Sequence, residues 1–463
     1  MRVELKKVYG ITCVILALLA TVFSAAFSEA SDETGSGKAT AVTVNGTDHS
    51  LAEFNYYFNS WYASFTEENS AYLSYMFDEA KSLKEQDYED GRTWFDFFAD
   101  EALLSMQQIL TLSEEAEKAG YELSGQKREE IAQVQETVAG FAKTLGMETE
   151  EYLAYFYGEG MDEALFEKCL TDARLADGYA GMLRSSIDPA DDEIEAYYRD
   201  HVRDYTTARY ERFFARACAM GTVPTEEESA AAKKMAEEIR QQVAEGTSLK
   251  EAAQPYADRG KYLSFDDASY IEGSVYGDWL FDAERRDGDL FLVEDANGWY
   301  VMVFHGLDEA DYPTAHVLDA YFPLDETAGT VDEQLEASCL EAEAFRDEWV
   351  QAGSTRDAFA ELAARQAEKS GTAADLASVT RGQFEKNITK WLFDAQRSEG
   401  DCEILYSEEG FHVMYYDGTG EEAWIALARE DLQEQRFQAW FDDLTEKTEV
   451  IRHEDVLAHA GGY

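Results

Sequence analysis

Two stretches of this chain are copies of one another. Trp279–Met302 reads WLFDAERRDGDLFLVEDANGWYVM and Trp391–Met414 reads WLFDAQRSEGDCEILYSEEGFHVM, aligned without a gap at an offset of 112 residues and identical at 11 of 24 positions. Unrelated segments would share roughly one or two, so part of the chain is duplicated. Upstream, Gly246-Thr247-Ser248-Leu249-Lys250-Glu251 aligns with Gly353-Ser354-Thr355-Arg356-Asp357-Ala358 at an offset of 107. Each of these follows a helical pattern, and each unit opens with a strand, ARYERFFARACAM in the first and TAHVLDAYF in the second. Strand, helices, helix, strand, strand is the order of a small α+β domain with an antiparallel sheet. Within the copied block, Trp and Phe two residues apart followed by Gly288-Asp289 or Gly400-Asp401 fit a helix that packs on the sheet and turns into the final hairpin. Arg285 and Arg397 stand near acids with which they can pair.

The 463 residues allow two to four domains, and 45% hydrophobic with 13% aromatic content supplies cores for them. A net charge of −56 repels nucleic-acid phosphate and anionic membrane surfaces, so no nucleic-acid partner is expected. The five cysteines show no CxxC spacing and the seven histidines no HExxH, so neither a metal nor another cofactor is expected.

Arg2, Lys6 and Lys7 precede an uncharged apolar run from Val8 to Phe27. This is the layout of an export signal, and twenty apolar residues are also long enough to anchor in a bilayer. Both readings of residues 1–30 stay open. Either way the remainder is expected outside the cytoplasm, touching a membrane only through this segment. Residues 31–40 read as a tether.

From residue 41 to 205 the pattern is mostly helical. A short strand AVTVN ends at Asn45-Gly46, and Ser50 with Glu53 three residues on forms a capping box. Tyr56, Tyr57, Trp61 and Trp94, Phe95, Phe97, Phe98 either pack these helices together or line a peptide groove. After Gly418, residues 419–463 hold one long amphipathic helix, with Val450-Ile451 as a possible terminal strand.

The second unit resembles the parvulin family of peptidyl-prolyl isomerases. The resemblance rests on Ala315-His316-Val317-Leu318 in the opening strand, Gly410-Phe411-His412 in the closing one, and Asp375-Leu376 with Arg381-Gly382-Gln383 between them. VNGTDHSLAEFNYYF and DPADDEIEAYYRDHVRDY resemble the helical domain of SurA/PrsA-type chaperones, which carry parvulin units. The fold so implied is α+β: a helical chaperone domain over 41–205, two tandem parvulin-like domains over 206–308 and 311–418, and the segment 419–463 returning to complete the helical domain. The implied activity is isomerisation of X–Pro bonds in unfolded or proline-containing polypeptide clients. By family position His316 and His412 would form the floor of the site, with Ser407 supplying a hydroxyl, while Leu376, Phe384 and Ile388 would line the proline slot. Lys369 stands where the family usually has Cys or Asp, and Tyr210 and Tyr300 stand in the histidines' places in the first unit. The resemblance therefore implies that the first unit is inactive. A non-catalytic holdase or surface scaffold that kept the fold is the alternative.

Overall fold

The computed structural model describes residues 37–462 except 71, 79, 220, 221 and 325–328. The expected signal or anchor over 1–30, and the tether up to residue 36, lie outside the described residues. Among the described residues no helix is long and apolar enough to cross a membrane.

In chain order, β1 (Thr40–Val44) and β2 (Thr47–Ser50) precede α1 (Leu51–Glu68), α2 (Trp94–Lys118), α3 (Gly125–Leu145), α4 (Thr149–Tyr157), α5 (Glu163–Ser186) and α6 (Asp191–His201). The first repeat holds β3 (Thr207–Arg216), α7 (Glu226–Ala244), β4 (Gly260–Ala268), β5 (Leu290–Asp295) and β6 (Gly298–Asp308). The second holds β7 (Pro313–Pro323), α8 (Val331–Gln351), α9 (Arg356–Ser370), β8 (Asp375–Val379), α10 (Lys386–Leu392), β9 (Cys402–Ser407) and β10 (Gly410–Glu422). α11 (Ala423–Lys447) and β11 (Val450–Arg452) follow. The fold class is α+β, with small antiparallel sheets.

The described chain divides into two compact units, one made of residues up to 188 together with those from 433 on, the other of residues 189–432. In the first unit, Ser50 accepts from the Glu53 backbone N–H and starts α1, and a reciprocal Thr93–Asp96 capping box starts α2. Phe54, Tyr56, Tyr57, Phe58 and Phe98 are fully buried between these helices, and Trp94, Phe95 and Phe97 nearly so. These rings hold helix to helix, and the half-buried Trp61 packs on Phe65 and Phe97 beside them. Phe437 and Phe441 of α11 belong to the same core, and β11 pairs antiparallel with β1, Val42 opposite Arg452.

The second unit carries two four-stranded sheets of the same topology, in the orders β4-β3-β6-β5 and β8-β7-β10-β9. Each contains an edge strand, β4 or β8, in a segment whose sequence pattern shows only helix and loop. The cause is weak contrast: in DLASV only Val379 is buried, and no residue of GKYLSFDDA is.

In the second repeat the sheet is covered on both faces. Leu318, Ala320 and Phe322 of β7 and Val413 and Tyr415 of β10 pack against Phe345 and Trp349 of α8 and Phe359 and Leu362 of α9. The other face sets Val317, Met414, Tyr416 and Leu405 against Ile388 and Leu392 of α10. Strand residues alternate between faces with period two, so odd positions on β7 and even positions on β10 share this second face. In the copied blocks Arg285 pairs with Asp282 at 3.2 Å and Arg397 with Asp401 at 3.1 Å, each guanidinium lying over its Trp. That arrangement locks the turn into the last hairpin.

Candidate active site

His412 lies on β10 opposite Tyr321 of β7, on the face covered by α10. The residue is 9% exposed, its ring stacked on Tyr321 at 4.6 Å between centroids and met edge-on by Phe384 at 5.5 Å. Its Nδ1 lies 2.8 Å from Oδ2 of Asp319, a carboxylate only 3% exposed. Burial pushes the Asp319 carboxyl up, and the hydrogen bond and charge of His412 partly oppose that. Asp319 Oδ1 is buried without a partner among the described residues.

The expected pairing of His316 with His412 is corrected by the register. His316 faces Gly418 across the two strands, five residues along β7 from the partner of His412, roughly 16 Å away at the rise of a strand. Being even-numbered on β7, it also belongs to the opposite face. There its Nε2 binds Asp375 of β8 at 2.7 Å, and its Nδ1 lies 3.6 Å from Asp417, which Arg356 holds at 2.7 Å. His316 thus clasps the edge strand to the sheet, and Asp319 takes the place beside His412. Its signal was present in the sequence: Asp319 is the one acid in the apolar run of HVLDAYF, and it shares parity with Val317 and Tyr321.

The other expected residues divide. Ile388 of α10 is fully buried and Leu376 of β8 half-buried on the His412 face, in one apolar cluster that Phe384 packs against. The loop carrying Phe384 is shaped by the motif before it. The Arg381 backbone N–H donates to the Tyr312 hydroxyl at 2.9 Å, with its guanidinium over the Tyr312 ring, and Gln383 accepts from the Thr380 N–H at 3.2 Å. Ser407 is buried and shares the face of Leu405 and His412 by register, and its hydroxyl donates to the Gly410 carbonyl at 3.1 Å, which closes the β9–β10 turn. Lys369 is exposed in the last turn of α9, the helix that packs on the other face. The acid next to His412 therefore comes from β7, not from the Lys369 position.

A wall of Leu376, Phe384 and Ile388 meeting a buried imidazole–carboxylate pair suits an uncharged ring whose neighbouring peptide bond must be desolvated. Residues 327–418 match the family model for the rotamase, or PPIC-type peptidyl-prolyl isomerase, domain. The chain carries a PPIC-type domain. Within that domain the match begins just before α8, so β7, which brings Asp319, precedes it. No curated protein matches the sequence significantly. Among solved structures, one of two structurally related SurA-like chaperones of Campylobacter jejuni, the virulence factor PEB4 and the periplasmic protein Cj1289, is 8% identical, covering 89% of this chain and 98% of its own, with a TM-score of 0.22. PrsA from Bacillus subtilis is 13% identical, covering 67% and 98%, with a TM-score of 0.16. At those scores neither likeness bears on the fold of this chain.

The first repeat places different chemistry at the PPIC-type domain's positions. Arg209 faces Gly306 as His316 faces Gly418, so Arg209, not Tyr210, is the counterpart of His316. By the same register Tyr300 stands at His412 and Arg212, opposite Met302, stands at Asp319.

Proposed function

We propose that this chain is an exported foldase that holds unfolded polypeptides and isomerises their X–Pro bonds at the PPIC-type domain of its second repeat. The observation that carries the reading is the buried His412–Asp319 pair beside Phe384, next to a segment with the isomerase family's pattern. Rotation about the peptide bond faces a barrier of about 18–20 kcal/mol because the planar amide is resonance-stabilised. No bond breaks, so no nucleophile is required. Leu376 and Phe384, backed by the buried Ile388, would seat the proline ring and exclude water, which disfavours the charge-separated planar amide relative to the twisted one. Asp319 would fix the imidazole through Nδ1, leaving Nε2 toward the substrate. The first repeat has no such pair and would not turn over.

The helical unit would bind clients; Tyr72 and Tyr75 stand 66% and 87% exposed on it. The basic residues and apolar run of the first 30 residues support export. A protease-coupled assay on a proline-containing tetrapeptide tests the catalytic reading: cis-to-trans conversion should exceed the uncatalysed rate, which takes tens to hundreds of seconds. A rate equal to buffer, with the protein folded, would leave the non-catalytic holdase, which a client-aggregation assay then examines.

A further inference from the structure

The first repeat's slot has been rebuilt around a cation. Its lining positions follow from the register and the 112-residue offset: Phe265 pairs with Tyr210 as Leu376 pairs with Val317, Tyr276 occupies the place of Ile388, and Tyr300 that of His412. Where the second repeat has Asp319 there is Arg212. Its guanidinium lies 5.0, 5.6 and 5.3 Å from the ring centroids of Phe265, Tyr276 and Tyr300, and it donates to the Tyr276 hydroxyl. Tyr210 stacks on Phe265 at 4.6 Å and closes the floor.

Two facts separate this from an ordinary structural arginine. The chain has 95 acidic residues against 39 basic ones, yet among the described residues Arg212 has no carboxylate within ion-pair distance. Arg212 and Tyr300 are also only half-buried. A guanidinium has five N–H donors, and the ring faces and one hydroxyl leave most of them unused, in an orientation the rings fix in advance.

We propose that this slot binds a peptide carboxylate, with Arg212 as its reader and Phe265, Tyr276 and Tyr300 as the apolar frame for the residues beside it. The first repeat would then be a binding module for acidic client segments. The inference stands on the equivalence of the two repeats and does not depend on turnover by the second.

Calorimetry on the full chain tests it with three proline-free peptides, which bypass the isomerase slot: acetyl-Ala-Ala-Phe-Glu-Phe-Ala-Ala-amide, its Gln counterpart, and the Gln peptide with a free C-terminal carboxylate. One or both carboxylate peptides should bind about tenfold or more tighter than the amidated Gln peptide, as expected for a charge-assisted pair. Which of them does so identifies a side-chain or a C-terminal carboxylate as the source. Arg212→Met should bring all three within about twofold of one another. Tyr276→Phe, which keeps the ring but releases the guanidinium, should cut the preference several-fold and serves if Arg212→Met fails to fold. Equal binding of the three peptides by the unmodified chain would overturn the proposal. So would a preference that survives Arg212→Met, or one undiminished in Tyr276→Phe.

Discussion

Asp319 is held where its charge is unwelcome: it is buried, one oxygen lacks a partner among the described residues, and His412 opposes the desolvation. Its folded pKa is therefore raised above the ordinary 3.8. A raised group contributes stability that is fully present below the unfolded value and is lost as pH rises through the folded one. Urea midpoints of the PPIC-type domain should accordingly fall as pH climbs from about 4 and then level off. Asp319→Asn should flatten that slope. The same variant should lower isomerisation about tenfold or more, because a charge-assisted hydrogen bond to the imidazole, worth about 1.5–3 kcal/mol, is lost. His412→Asn should do likewise. His316→Asn, on the other face and tied to Asp375, should leave turnover within about twofold and cost only strand-edge stability; a collapse of turnover in that variant, with the fold intact, would place the site elsewhere. At this scale the sequence was half legible. Family position names His412, Phe384, Leu376 and Ile388, which the fold brings to one face, whereas the carboxylate beside His412 follows only from strand parity, which a motif match does not count.

Among the elements, the helices were the plainer part of the sequence, because Ser50 announces the start of the first and periodic apolar residues carry them through. The edge strands β4 and β8 were not, since an edge exposed on one side needs little apolar contrast. One glycine position recurs in both closing strands. At Gly410 a Cβ would lie 2.2 Å from the Phe322 carbonyl oxygen, with φ at +154°, and at Gly298 it would lie 2.2 Å from the Ala215 carbonyl oxygen. In each repeat the last strand enters the sheet there, and backbone that cannot shift leaves no room for a side chain. Gly410→Ala should therefore destabilise the second repeat by about 2 kcal/mol or more, and so should Gly298→Ala in the first. Separate melting measurements on the two variants check this. A loss below about 0.5 kcal/mol in both would mean that the strands can part without cost.

In the whole molecule the return of the chain to its beginning was legible through the resemblance, which implies it, and hardly at all through local pattern. β11 pairs with β1 across some 400 residues, and pairing at that separation leaves no local pattern beyond Val450-Ile451. From residue 433 on, Phe437, Phe441, Val456, Leu457 and Ala460 are buried in the core of the helical unit, and Arg452 pairs with Asp100 at 2.7 Å. Burying a large apolar side chain is worth about 1.5–3 kcal/mol, so four such residues approach the whole 5–15 kcal/mol by which a domain is ordinarily stable. The surface ion pair adds little to that. Removal of β11 would also leave β1 with an open edge. A chain ending at Leu432 should consequently lose the cooperative melting of its helical unit, read as helicity by circular dichroism, and should aggregate as that core is uncovered. The sheet of the second repeat, complete by Glu422, should keep its own transition and whatever turnover the full chain has. A helical unit that melts unchanged in the shortened chain would show that residues 433–462 decorate this core without holding it.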